Sequence, residues 1–206
     1  MRRSLLTILA LLALASPGVA QAAGGTYTID GGTAAEQAQV RAALNASSFD
    51  WGLLPAIQVH IVAGGGDYAT PGQVYLEPVL LDAGEFSWGT IQHEFGHQVD
   101  FFLLDDAKRA QLQAALGASQ WCYTELTLAH DQYGCERFAS EIAWAYWQSP
   151  ENALKPTPSF DESAGMPPAA FRALLQQLLG APNTVLASPV KVYAPKLKAK
   201  KKTTVK

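Results

Sequence analysis

Apolar and polar positions alternate in two short runs, Ile57 to Val62 and Gln73 to Glu77, and a β-rich run from Thr26 to Ile29 precedes them. Gly64-Gly65-Gly66-Asp67 and Thr70-Pro71-Gly72 separate the two runs as turns. Elsewhere the spacing is helical: Thr33 to Leu44, Trp88 to Leu104, Asp106 to Leu116, Glu136 to Gln148 ahead of Pro150, and Pro168 to Leu179 ahead of Gly180. Thr33 with Glu36 matches a capping box at the start of the first helix. Strands come first and helices follow. This order predicts an α+β domain, with a small N-terminal sheet and helices stacked behind it.

The two ends of the chain follow different rules. Arg2-Arg3, an apolar run from Leu5 to Ala15 and small residues around Ala20-Gln21-Ala22 have the layout of a secretory signal peptide cleaved after Ala22. The apolar run is about ten residues, half of the roughly 20 that a bilayer span requires, and no later stretch is longer, so no transmembrane segment is expected. The organisation read from the sequence is a signal peptide (1–22), one domain (23–190) and a Lys-rich tail (191–206), in a secreted, extracellular protein that acts as a monomer.

With 49% hydrophobic and 16% charged residues, the chain is neither disordered throughout nor collagen-like. Residues 23–190 carry six basic side chains against eighteen acidic ones, whereas the stretch from Lys191 onward has seven lysines and no acid. The acidic body disfavours nucleic acid as a partner. The tail has no apolar periodicity and is expected to be disordered. It either solubilises the chain or attaches it to an anionic cell-wall polymer or lipid surface.

The chemistry concentrates in His93-Glu94-Phe95-Gly96-His97, an H-E-x-x-H pattern inside a predicted helix. At about 100° per residue, His97 falls roughly 40° from His93, and Asp100 about 20° to its other side. Trp88, Ile91, Phe95 and Phe102 cluster on the opposite side. Such a helix buries one face and turns two neutral imidazoles, one turn apart, toward a cleft where they can bind Zn²⁺. Glu94 flanks that position. It can take a proton from a water without being a ligand itself.

A catalytic zinc usually has three protein ligands, and three carboxylates compete for the third place. Asp100 shares the histidine helix, and three ligands in a line fit a tetrahedron poorly, so it suits the role of acceptor for an imidazole N–H or of a plain surface carboxylate. Glu136 opens a second helix and shares a face with the small Ser140 and Ala143, which permit close helix approach. Glu141 lies about 140° around that helix, so both cannot face one metal. Glu136 is preferred.

The chain here resembles the gluzincin metallopeptidases, in which H-E-x-x-H supplies two zinc ligands and a Glu on a following helix the third. It is similar to the catalytic domain of anthrax lethal factor through His93-Glu94-Phe95-Gly96-His97-Gln98-Val99-Asp100 and Glu136-Arg137-Phe138-Ala139, over roughly residues 70 to 150. The resemblance implies a zincin-like fold, zinc held by His93, His97 and Glu136, Glu94 as general base, and a peptide or protein substrate. It also implies a donor to the oxyanion shortly before the ligand Glu. Tyr133 is followed by Gly as in that family but sits closer to Glu136 than the pattern asks, and His130 competes with it.

Cys122 and Cys135 are the only cysteines and are expected to form a disulfide ending beside Glu136, worth roughly 3 kcal/mol for a loop of this size. Gln73 to Glu77 is placed as an edge strand for substrate, or as a plain structural one. Trp144, Tyr146 and Trp147 read as core more readily than as a specificity pocket. Two rivals to the peptidase are a zinc-binding pseudopeptidase whose cleft holds peptide without cutting it, and a cell-surface binding module whose tail matters more than its cleft. The intact Glu94 argues against the first.

Overall fold

The structure, a computed structural model, describes residues 20–22, 25–122, 128–180 and 182–183. It is α+β. Five strands, β1 (Ala20–Ala22), β2 (Gly25–Gly31), β3 (Ile57–Ile61), β4 (Tyr68–Thr70) and β5 (Gln73–Leu76), form one mixed sheet in the order β1-β2-β3-β5-β4. β2, β3 and β5 run parallel, and β1 and β4 close the two edges antiparallel. The helices are α1 (Ala34–Ala46), α2 (Pro78–Leu81), α3 (Trp88–Leu103), α4 (Asp106–Ala115), α5 (Gly134–Tyr146) and α6 (Pro168–Leu179). None among the described residues is long and apolar enough to cross a membrane.

The period-two pattern sets the sheet's inner face. Ile57, Val59, Ile61, Val74 and Leu76 are buried in one core with Val40 and Leu44 of α1 and Ile91 and Phe95 of α3, while His60 and Tyr75 pair across the outer face and stack at 4.7 Å. Thr33 caps α1 with the expected reciprocal box, since Glu36 N–H donates to its hydroxyl and Glu36 accepts from Thr33 N–H. Ile91, Phe95 and Val99 of α3 enter the core, where Phe95 meets Tyr27 and Trp51 edge-on. Phe102 does not follow them: it is 43% exposed, because α3 emerges from the core in its last turn. Tyr146 is core, edge-on to Phe49 at 5.1 Å, and Trp147 packs on Trp88.

One placement is corrected. The strand at 73–77 is not an edge, because β4 pairs with its free side. Three residues beyond the glycine turn are too few to show alternation, so β4 left no pattern to read. Gln98 of α3 fixes this hairpin, accepting from Gly72 N–H at 2.8 Å and donating to the carbonyls of Thr70 and Gln73 at 3.0 Å each. The true edge strand therefore sits beside α3. Residues 1–19 of the expected leader and the tail 191–206 lie outside the described residues.

Candidate metal centre

α3 and α5 cross closely because small residues meet at the contact. A Cβ added to Gly96 would lie 2.8 Å from Ala139 Cα, nearer than side chains tolerate, so glycine at this position sets the interhelical distance. Above that crossing, α3 presents His93 and His97, and α5 presents Glu136 from its first turn, where the helix dipole favours a carboxylate. The segment before α5 is held by the Cys122–Cys135 disulfide, and by Gly134 and Cys135 N–H groups donating to the carbonyls of Gln120 and Trp121. Gly134 again has no room for a side chain: a Cβ there would meet the Trp121 ring at 2.8 Å.

Three donor atoms converge. His93 Nε2 lies 3.1 Å from Glu136 Oε2 and 3.1 Å from His97 Nε2, and His97 Nε2 lies 3.2 Å from Glu136 Oε2. Ligands about 2.0–2.1 Å from a tetrahedral zinc are separated by about 3.3–3.4 Å, so this triangle is close to one face of that tetrahedron. The His₂Glu set also matches zinc's preference for nitrogen and carboxylate donors. The residues present therefore fit a zinc ion. All three are at least nine-tenths buried, at the floor of a cleft of about 340 Å³ that Glu94, Asp67, Tyr68 and Phe101 also line.

His130 joins the centre from a short 3-10 turn at His130–Gln132. Its Nε2 lies 3.0 Å from Glu136 Oε2, and its Nδ1 lies 2.9 Å from Glu162 Oε2. Hydrogen bonds to Glu136 and then Glu162 push its pKa up to about 10. Burial alone would raise Glu136, but hydrogen bonds from His130, His93 and His97 prevail and hold it far below the ordinary carboxylate range. Glu94 shifts the other way. Its burial raises the pKa against the opposing pull of His93 and His97, which makes it a better proton acceptor than a solvated glutamate.

Of the two sequence candidates for the oxyanion, the structure brings His130 to the cleft. Tyr133 is 2% exposed at the N-terminal end of α5 and is not among the residues lining the cleft. Asp100 orients no imidazole: it accepts from Arg109 Nε at 2.7 Å and from Trp121 Nε1 at 3.0 Å, tying α3 to α4 and to the disulfide loop. Glu141 faces away from the centre and accepts from Met166 N–H at 2.7 Å.

Sequence reasoning missed Glu162. It lies in the loop between α5 and α6, is buried, and accepts from Ser140 Oγ at 2.6 Å as well as facing His130. A lone glutamate in a turn-rich stretch carries no motif. Only Ser140, one turn beyond Glu136, hinted that α5 had a polar face to satisfy. Comparison of the chain with models of known protein families, with curated proteins and with solved structures finds no match.

Proposed function

We propose that this protein is a secreted zinc metallopeptidase of the gluzincin kind, with His93, His97 and Glu136 holding the ion. The observation that carries the reading is the convergence of those three donor atoms in an open cleft flanked by Glu94. Zinc bound there would supply a Lewis acid for the scissile carbonyl and would acidify the attacking water. Glu94 takes the proton from that water and passes it to the leaving amine. Its burial, which lifts its proton affinity, suits both steps. His130, half in solvent, directs its Nε2–H at Glu136 Oε2; with that oxygen engaged by the ion, the N–H would be left to donate to the developing oxyanion.

Peptide is the substrate best matched to the cleft because β4, an edge strand of the described sheet, lines it with Tyr68 and Ala69 and is placed to pair with an extended chain. Export by the leader would deliver the protein to an oxidising compartment, in keeping with the Cys122–Cys135 disulfide. Cleavage after Ala22 would also remove β1 and leave β2 as the far edge of the sheet.

The test is cleavage of a mixed peptide library by the zinc-loaded mature protein, compared with Glu94→Gln. The expected result is zinc bound equally by both, with cleavage by wild type and a loss of about a thousandfold or more in Glu94→Gln. Zinc bound by both without cleavage by either would make the protein a binding module.

A further inference from the structure

Five polar groups close a ring around one edge of the metal centre. His93 Nε2 faces Glu136 Oε2 at 3.1 Å, and His93 Nδ1 faces Ser140 Oγ at 3.0 Å. Ser140 Oγ–H donates to Glu162 Oε1 at 2.6 Å, Glu162 Oε2 meets His130 Nδ1 at 2.9 Å, and His130 Nε2 returns to Glu136 Oε2 at 3.0 Å. We propose that Glu162 is a positioning residue that orients the zinc ligand His93 and the oxyanion donor His130 at once, through Ser140 on one side and directly on the other.

The donor count imposes this. Glu162 is an ionised carboxylate and can only accept, so the Ser140 hydroxyl hydrogen is committed to it. Ser140 Oγ must then accept from His93 Nδ1–H. With a cation among the three donors, the proton on Nδ1 leaves the Nε2 lone pair of His93 to face that cation, in place of the Nε2–H that otherwise donates to Glu136 Oε2. On the other arm, Glu162 Oε2 accepts from His130 Nδ1–H and holds that exposed ring with its Nε2 toward the site. A carboxylate can serve both arms because it has two acceptor oxygens. Glutamine has one, and that oxygen is neutral, so an amide at this position cannot serve both arms and accepts more weakly from whichever it meets, which loosens His93 and His130 together. A single loop residue thereby links the affinity of the site for metal to the alignment of its catalytic donor.

The inference rests on the zinc reading, and the experiment separates the two. Zinc affinity of the full mature protein is measured by competition with a chromophoric chelator for wild type, Glu162→Gln, Ser140→Ala and the double variant, with circular dichroism confirming the fold of each. Ser140→Ala, which removes one small buried group, serves if Glu162→Gln fails to fold. Each single variant is expected to bind zinc about 10- to 100-fold more weakly, and the double variant no more weakly than the worse single one, since both cut the same arm. At saturating zinc, kcat for peptide cleavage should be lower in Glu162→Gln than in Ser140→Ala by about tenfold, because only Glu162 also holds His130. Folded variants that bind zinc within twofold of wild type would overturn the inference and leave Glu162 a structural anchor for its loop. A wild type that binds no zinc would remove the metallopeptidase reading, and this inference with it.

Discussion

Two buried glutamates on α5, little more than one turn apart, have opposite fates. Glu136 is surrounded by His93, His97 and His130 within 3.0 to 3.2 Å, and its carboxylate is held far below the ordinary range. Glu141 meets only backbone N–H groups, those of Met166 and Gly165, leaves Oε2 without a hydrogen-bond partner among the described residues, and is pushed up to about 7 by burial. Burial by itself therefore makes a reluctant acid rather than a ligand. What makes Glu136 a candidate ligand is the set of nitrogens that α3 brings to it across the Gly96–Ala139 contact.

The contrast can be broken most severely at Glu136 itself. Glu136→Gln should lower zinc affinity by more than about a hundredfold, a larger loss than removal of an outer-shell partner causes, while Glu141→Gln leaves it unchanged; chelator competition distinguishes them. Next in size is Gly96→Ala. Its new Cβ would push α5 away from α3, costing about 1–3 kcal/mol in denaturant unfolding and weakening zinc binding by separating the three donors. Smallest is the pH signature of Glu141. With its folded-state pKa raised from 4.5 to about 7, it contributes stability fully below the lower value and loses it as pH rises through the higher. Glu141→Gln should thus be nearly neutral at about pH 5 and stabilising by on the order of 2 kcal/mol at about pH 8, read from thermal unfolding. No difference between the two pH values would mean that Glu141 is solvated and that the contrast with Glu136 is weaker than its geometry implies.

Much of this was legible in the chain because it rests on local periodicity. His93 and His97 share a face at a spacing of four, the small face of α5 marks where Glu136 approaches, and the Thr33–Glu36 box starts α1 where expected. The two cysteines also pair. What escaped depends on contacts between distant segments. β4 is three residues long, Gln98 acts by reaching sideways to a hairpin, and Glu162 belongs to an irregular loop and meets the site through Ser140 and His130. Spacing likewise could not show that the short turn brings His130 to Glu136 while Tyr133 is buried. Periodicity shows which face a residue occupies, but not which loop will cover that face.

The most direct test of the central claim is the zinc content of the purified mature protein, compared by elemental analysis with Glu136→Gln and Glu141→Gln. The account predicts one equivalent of zinc in wild type and in Glu141→Gln, and little or none in Glu136→Gln. A wild type free of zinc after exposure to it, or a Glu136→Gln variant that retains a full equivalent, would contradict it.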